Sequence, residues 1–332
     1  MTNSSSENRA GEFELIAKLF APLSCHAPGA YGLTDDAATI APPAGEELVV
    51  TADLLTEGVH FRTADPPDRI AKKAVRVNLS DLAAKGAKPL GYLLSLALPR
   101  RLDMTWLEVF AHGLAEDQNE FAVVLVGGDT TATDGPFTVA VTAFGTLPVG
   151  SMIRRNGAKA GDLIFVSGSI GDAGAGLELL NDTASPGAVA QSQTLVDRYQ
   201  LPTPRTILGQ ALRGAAHASL DVSDGLLADL GHVARTSGVR TLVNAEAIPI
   251  SAARMAVKGQ SLEAVIAAAT AGDDYEIAFT APATARDEIL RIARNANTPV
   301  TQIGQVVEGA GVALLDSFGA EIPVSRKGYE HF

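Results

Sequence analysis

The strongest chemical signal in this chain lies in its aspartates, because so many of them fall where an apolar run stops. Asp53 ends the run LVVTAD, Asp81 follows VNLS, Asp129 ends AVVLVGGD, and Asp35-Asp36 lies in a turn after Tyr31-Gly32. Asp221 and Asp224 flank Ser223 just ahead of an apolar-periodic stretch, and Asp273-Asp274 precedes YEIAF. A carboxylate at an element end is easily aimed into a shared cleft, and several together are the hard oxygen ligands that Mg²⁺ prefers. After an apolar run such a charge must be solvated, paired or bound to metal. Each position also has an ordinary structural reading: Asp224 as a helix N-cap, Asp129 as turn chemistry, Asp35-Asp36 as a solvated turn. Zinc is not expected, since Cys25 is the only cysteine and the six histidines show no His-x-x-x-His spacing.

Two glycine-rich segments could cradle phosphate on backbone N–H groups: Gly127-Gly128-Asp129-Thr130, directly after a strand, and the run from Gly168 to Gly176, GSIGDAGAG. The second does not keep the G-x-G-x-x-G order of a dinucleotide loop, and close helix-to-strand packing explains its glycines as well. A Walker A loop is absent, because no Gly-Lys dipeptide occurs. Arg154-Arg155 could reach a phosphate in bidentate fashion or be a solvated linker pair. His60 and His112 are lone histidines, a type that is more often structural than catalytic.

The elements that must position these groups are readable from periodicity. Phe13, Ile16 and Phe20 recur at helical spacing and predict a first amphipathic helix ending near Pro22. Four β-rich runs follow (ELVVTADLL, PLGYLLSLALP, EFAVVLVGGDT, FTVAVTAFGTL), separated by helical RIAKKAVRVNLSDLAAKG and TWLEVFAHGLAEDQNE. A second cycle begins at LIFVSGSIG, with helices in PRTILGQALRGAA and GLLADLGHVARTSG and strands in ASLDVS, TLVNAEA, YEIAFTA and TQIGQVV. Pro148, Gly150, Gly157 and Gly161 punctuate the break. The expectation is a two-domain α/β and α+β chain: a flexible polar tail over 1–10, an N-terminal domain over 11–148 and a C-terminal α+β domain over 149–332.

Length and composition agree with two packed domains: 332 residues, 46% hydrophobic and 19% charged. A net charge of −12 argues against nucleic acid as a partner, while an anionic small molecule remains open if divalent cations sit between carboxylate and phosphate. One cysteine, a polar MTNSSSENRA and no apolar run of membrane-span length make a cytoplasmic location the expectation, with no membrane partner.

Taken in order, GEFELIAKL, DDAA, TADLLTEGVHF, KAVRVNLSDLAAKGAKP, VGGDTT, RRNGAKAGD, DVSDGLLADL, AGDDYEIAF and KGYEHF resemble the thiamine-monophosphate kinase family from about residue 11 onward. NLSDLAAKGAKP marks the wider superfamily of aminoimidazole ribonucleotide synthetase-like ATP enzymes, and GEFELI, EGVHF and KGYEHF narrow it. The resemblance implies an N-terminal domain whose strands join a second subunit's in a dimer barrel, hence a homodimer. It implies ATP and thiamine monophosphate as substrates and several Mg²⁺ ions held by Asp36, Thr51, Ala52 (through its carbonyl), Asp53, Asp81, Asp129, Asp221 and Asp224. ATP contacts would come from His112, Gly128, Asp129, Arg155 and Ser223, and substrate contacts from His60, Asp273 and Arg326. Asp36, Asp81, Asp129 and Arg155 would then carry the catalysis. Four positions depart from the family pattern: Thr34 replaces a Gly, Ala52 a hydroxyl residue, Asp273 the more usual Glu, and Arg326 a common aromatic. Competing readings are a superfamily synthetase acting on an amide or formyl oxygen, and a metal or nucleotide sensor without turnover; ATP transfer or hydrolysis separates the latter.

Overall fold

In the computed structural model, which describes residues 11–182 and 190–329, the chain divides into two compact units. The first comprises residues up to Leu82 together with Lys88–Pro148; the second comprises Ala83–Ala87 and Val149 onward. The tail over 1–10 and the last residues of KGYEHF, 330–332, lie outside the described residues.

The first unit runs α1 (Glu12–Leu15), β1 (Glu46–Thr56), α2 (Pro67–Ala84, entering the second unit at Ala83), β2 (Lys88–Pro99), α3 (Met104–Phe121), β3 (Val124–Thr133) and β4 (Thr138–Pro148). Its sheet has the order β1-β4-β2-β3, antiparallel except for β2 against β3. Strand alternation decides the two faces. Val49 and Leu55 of β1 are buried, whereas Leu48, Val50 and Leu54 are 37%, 56% and 59% exposed. One face is thus packed and the other carries uncovered apolar side chains. α3 begins at an Asp103 cap that accepts the Trp106 N–H at 2.8 Å and ends on left-handed Ala122. Trp106 and Phe110 of this helix pack against Phe137.

The first helix departs from expectation. Glu12–Leu15 is followed by a π-helical turn over Ile16–Phe20, and the buried face is Leu15, Leu19 and Phe20, while Phe13 is 84% exposed. A π turn carries more residues per turn than 3.6, so a face extrapolated at helical spacing drifts off the packed side.

The second unit contains β5 (Asp162–Ser167), α4 (Asp172–Asn181), α5 (Ala190–Gln200), α6 (Thr206–Ala211), β6 (Ala218–Asp221), α7 (Leu226–Ser237), β7 (Arg240–Asn244), α8 (Ala252–Lys258), α9 (Leu262–Ala269), β8 (Ile277–Pro282), α10 (Arg286–Asn295), β9 (Val300–Val307), β10 (Gly311–Leu315) and β11 (Glu321–Ile322). Its sheet runs β11-β10-β7-β9-β5-β8-β6 and is antiparallel except where β10 meets β7. Along β5, Ile164 and Val166 join a core with Leu226, Leu230 and Val233 of α7, while Phe165 joins another with Leu208, Ile289 and Ile292. Helices therefore cover both faces, which is why LIFVS is apolar without alternation.

Candidate active site

Thr51 and Asp53 lie between Val49 and Leu55 on the packed face of β1, and Asp81 sits near the C-terminal end of α2. The Thr51 hydroxyl donates to Oδ2 of Asp81. Burial pushes the Asp53 carboxyl up to about 6, with the like charge of Asp81 adding to it. No Lys or Arg pairs with Asp53 or Asp81 among the described residues. Two repelling carboxylates beside a hydroxyl, without a protein cation, form a donor set that fits a hard divalent ion. The Ala52 side chain points with Val50 and Leu54 to the opposite face, so only its backbone oxygen is available.

Asp35, Asp36, Gly128, Asp129 and Thr130 border a second feature of this unit, a cleft of about 580 Å³ floored by Phe20, Leu93, Leu125 and Phe144. The turn before Asp35 passes through positive φ at Tyr31, Gly32 and Leu33, and the Thr34 hydroxyl closes it on the Tyr31 carbonyl at 2.8 Å. Thr34 itself has φ −108°, so the missing glycine costs no backbone strain. Gly128 is required: its φ is +155°, and a Cβ there would stand 1.8 Å from the Leu94 carbonyl oxygen.

The sheet does not gather these two groups within one chain. Asp129 pairs with Ser95, Ser95 with Ala140 and Ala140 with Leu54, so Asp129 shares the open face, whereas Thr51 and Asp53 are on the packed one. β1 and β3 are also opposite edges, three strand spacings or about 14 Å apart.

The two histidines have different surroundings. His60 accepts the Thr56 N–H on Nδ1 at 3.0 Å, and Lys73 donates to its carbonyl at 2.9 Å, so it is fixed in the connection after β1. His112 projects from α3 with its side chain 70% exposed, 3.4 Å from Glu116.

In the second unit, three segments meet around 221–225. The Ser223 carbonyl accepts the Asp273 N–H, the Val222 carbonyl that of Tyr275, and the Asp224 carbonyl that of Tyr329, each at 2.8 Å. Asp273 and Tyr275 hold positive φ of 68° and 50°, strain of the kind that concentrates at functional sites. Arg326 donates from Nε to the Gly328 carbonyl at 2.9 Å, and its guanidinium stands 6.0 Å from the Tyr329 ring. Ser223, Asp224, Asp273 and Arg326 thus belong to segments joined by backbone bonds, and Asp221 closes β6 at their base. Asp224 is not the side-chain cap of α7, whose N-cap is Gly225. Oδ2 of Asp229 instead accepts N–H bonds from 223, 224 and 225 at 3.1, 3.1 and 3.2 Å. Burial, then Asp224, pushes the Asp229 carboxyl up to about 7.

Among the described residues, only Asp224, Asp229 and His232 bring three candidate ligand atoms within 4.8 Å of one another. Burial, with Arg235 and Arg155 behind it, lowers the His232 pKa, which places the Arg155 charge close to this turn. The Arg155 backbone is held by the Ser237 hydroxyl at 3.2 Å, and Arg154 accepts the Ser219 N–H at 3.1 Å. Asp229 and His232 were not singled out from sequence; the signal was their i, i+3 spacing in the helix immediately after Asp224-Gly225.

The second glycine-rich segment holds no open cradle. Gly171 at φ 83° starts α4, and its N–H donates to Asp274 at 2.6 Å. Asp274 is fully buried, and burial pushes its carboxyl up to about 8. The chain fills this helix N-terminus with its own carboxylate, so the phosphate reading of this segment gives way to a packing one.

This two-unit architecture matches the family described as AIR synthase related protein, with the N-terminal domain over residues 34–147 and the C-terminal domain over 159–317. The fold and the carboxylate-bordered sites thus define a member of that class. The chain is 42% identical to the thiamine-monophosphate kinase of Caulobacter vibrioides, covering 96% of this chain and 90% of that one. The crystal structure of thiamine-monophosphate kinase from Stenotrophomonas maltophilia K279a superposes with a TM-score of 0.80 at 42% identity, over 87% and 91% of the two chains. AaThiL complexed with AMPPCP and TMP superposes with a TM-score of 0.77 at 32% identity over 97% of both. The chain belongs to the thiamine-monophosphate kinase family.

Proposed function

We propose that this protein transfers the γ-phosphoryl group of ATP directly to the phosphate of thiamine monophosphate, giving thiamine diphosphate and ADP, with Mg²⁺ required. The observation that carries the reading is the unneutralised Asp53–Asp81 pair in a chain of this family. The acceptor is a phosphate monoester whose second pKa is about 6, so it is largely dianionic near neutral pH and needs no general base. What the reaction needs is screening of repulsion between two anions and in-line placement.

Thr51, Asp53 and Asp81 on one face, Asp36 and Asp129 on the other, and Asp221 and Asp224 at the second unit's turn are the residues that would hold Mg²⁺, with Ala52 offering its carbonyl. Mg²⁺ held by these residues would supply positive charge against the phosphate anions. Gly128 presents backbone and Ser223 its hydroxyl to nucleotide phosphates, Arg155 clamps one of them, and His112 contacts ATP from α3. His60, Asp273 and Arg326 orient thiamine monophosphate. Residues 11–148 would form the ATP- and metal-binding domain, with a homodimer closing over the apolar face of Leu48, Val50 and Leu54, and 149–332 would form the C-terminal domain of a cytoplasmic enzyme.

The test is one mixture of protein, ATP, Mg²⁺ and thiamine monophosphate, separated by chromatography. Stoichiometric thiamine diphosphate and ADP are expected, abolished by EDTA and absent when thiamine replaces its phosphate. Nucleotide binding without product would overturn the reading in favour of another acceptor or a sensor.

A further inference from the structure

We infer that Asp229 is a positioning residue for the transfer, holding the 223–225 turn from behind so that its nucleotide side and its acceptor side move as one. The inference rests on the function proposed above for this turn. A single carboxylate oxygen takes three consecutive backbone N–H groups, those of Ser223, Asp224 and Gly225. That is the arrangement by which a backbone nest binds an anion, here satisfied by the chain itself. With the N–H groups turned inward onto Asp229, the carbonyls of 222, 223 and 224 point the other way, where they accept from Tyr275, Asp273 and Tyr329. The orientation of three peptide planes is thereby shared between one buried carboxylate and both acceptor-side segments. Little slack remains: a Cβ on Gly272 would meet the Ser223 carbonyl at 2.6 Å, and one on Gly328 the Asp224 carbonyl at 2.5 Å. Asp229 itself lies buried in the first turn of α7.

Removing the carboxylate would leave three inward-facing N–H groups without a partner and free the turn to rotate. Supporting residues of this kind alter metal affinity or activity by about 10- to 100-fold. Asp229→Ala is expected to lower kcat by about 100-fold and to raise both the Mg²⁺ concentration for half-activity and the KM for thiamine monophosphate. Asp229→Asn, whose amide oxygen can accept the same three N–H groups, should recover activity to within about 10-fold of wild type. A direct metal ligand would not be rescued in this way, so equal loss in the two variants overturns the inference.

Amide hydrogen exchange on the full-length protein without substrates gives the independent arm. The amides of 223–225 should exchange at least about 10-fold faster in Asp229→Ala than in wild type, with those of β8 unchanged. Unchanged protection at 223–225 also overturns the inference. If Asp229→Ala does not fold, Asp229→Asn decides through the same readouts: protection kept and Mg²⁺ half-activity shifted less than about 10-fold supports positioning, and loss of activity with protection kept overturns it. A wild-type protein that makes no thiamine diphosphate refutes the proposed function instead, and leaves the exchange result to stand on its own.

Discussion

The two glycine-rich segments look alike in sequence and differ in what their backbone faces. Gly127-Gly128 ends at Asp129 on the border of an open cleft, shared with Asp36. The segment from Gly168 onward ends at a helix N-terminus already occupied by Asp274. Glycine permits a close backbone approach in both, but to Leu94 and the cleft in one and to the chain's own carboxylates in the other: a Cβ on Gly168 would strike Glu276 at 2.1 Å. Whether a glycine-rich segment can receive a phosphate depends on what stands opposite its N–H groups, and at Gly171 that group comes from about a hundred residues away.

The contrast can be broken most severely at Gly128. Gly128→Ala forces a Cβ into the Leu94 carbonyl at positive φ and is expected to cost about 3 kcal/mol or more and to remove nucleotide binding. Gly127→Ala meets only the end of the Leu93 side chain at 3.0 Å and should cost under about 1 kcal/mol. Urea titration and ATP binding on the pair would test this, and equal effects would show that the open segment is not held as described.

Asp81→Asn should come next in size. Activity is expected to fall by about 100-fold while the metal-free protein stays within about 1 kcal/mol of wild type, because the like charge that adds to burial in raising the Asp53 pKa is removed. Kinetics with and without EDTA, beside thermal unfolding, would measure both; wild-type turnover would refute it.

Asp274→Asn sharpens the filled side of the comparison. A carboxyl whose folded pKa is raised to about 8 from the ordinary value near 4 contributes stability that is present below pH 4 and lost as pH rises through 8. The stability of wild type should therefore fall relative to Asp274→Asn by more than about 1 kcal/mol between pH 5 and 8, as read from urea midpoints. Parallel pH curves for the two proteins would contradict the assignment.

The smallest effect is expected at Arg326. Among the described residues its contacts are one bond to the Gly328 carbonyl and a ring at 6.0 Å, so Arg326→Ala should change the KM for thiamine monophosphate by less than about 5-fold and leave kcat unchanged. A larger change would mean that the arginine touches substrate directly.

Much of the scaffold was legible because its signals are local. The strands β1 to β4 announce themselves as apolar runs, and α2, α3 and α7 by their periodicity. The fold class and the family follow from the same residues. α5, α8, α9 and α10 and the strands β10 and β11 were not singled out, and the first helix was read with Phe13 on the wrong side because a π turn leaves no mark in a 3.6-residue pattern.

For the sites, Asp53 lies inside β1 and Asp129, with Gly127-Gly128, inside β3 rather than where those strands stop, but the residue types could be read along the chain: acidic side chains after Val49-Val50, at the end of α2, after Gly127-Gly128 and around Ser223. That much is chemistry plus local propensity, and it needs no partner. Pairing and facing are different, because they depend on which strand lies beside which and on the parity of each register. Only the tertiary structure puts Asp53 against Asp81, Asp129 on the other face of the sheet, Asp229 behind the 223–225 turn and Asp274 into the loop at Gly171. The Asp53–Asp81 and Asp274–Gly171 pairings join residues far apart in the chain through burial that no local pattern encodes, whereas Asp229 lies four to six residues from its partners and is set by how α7 starts.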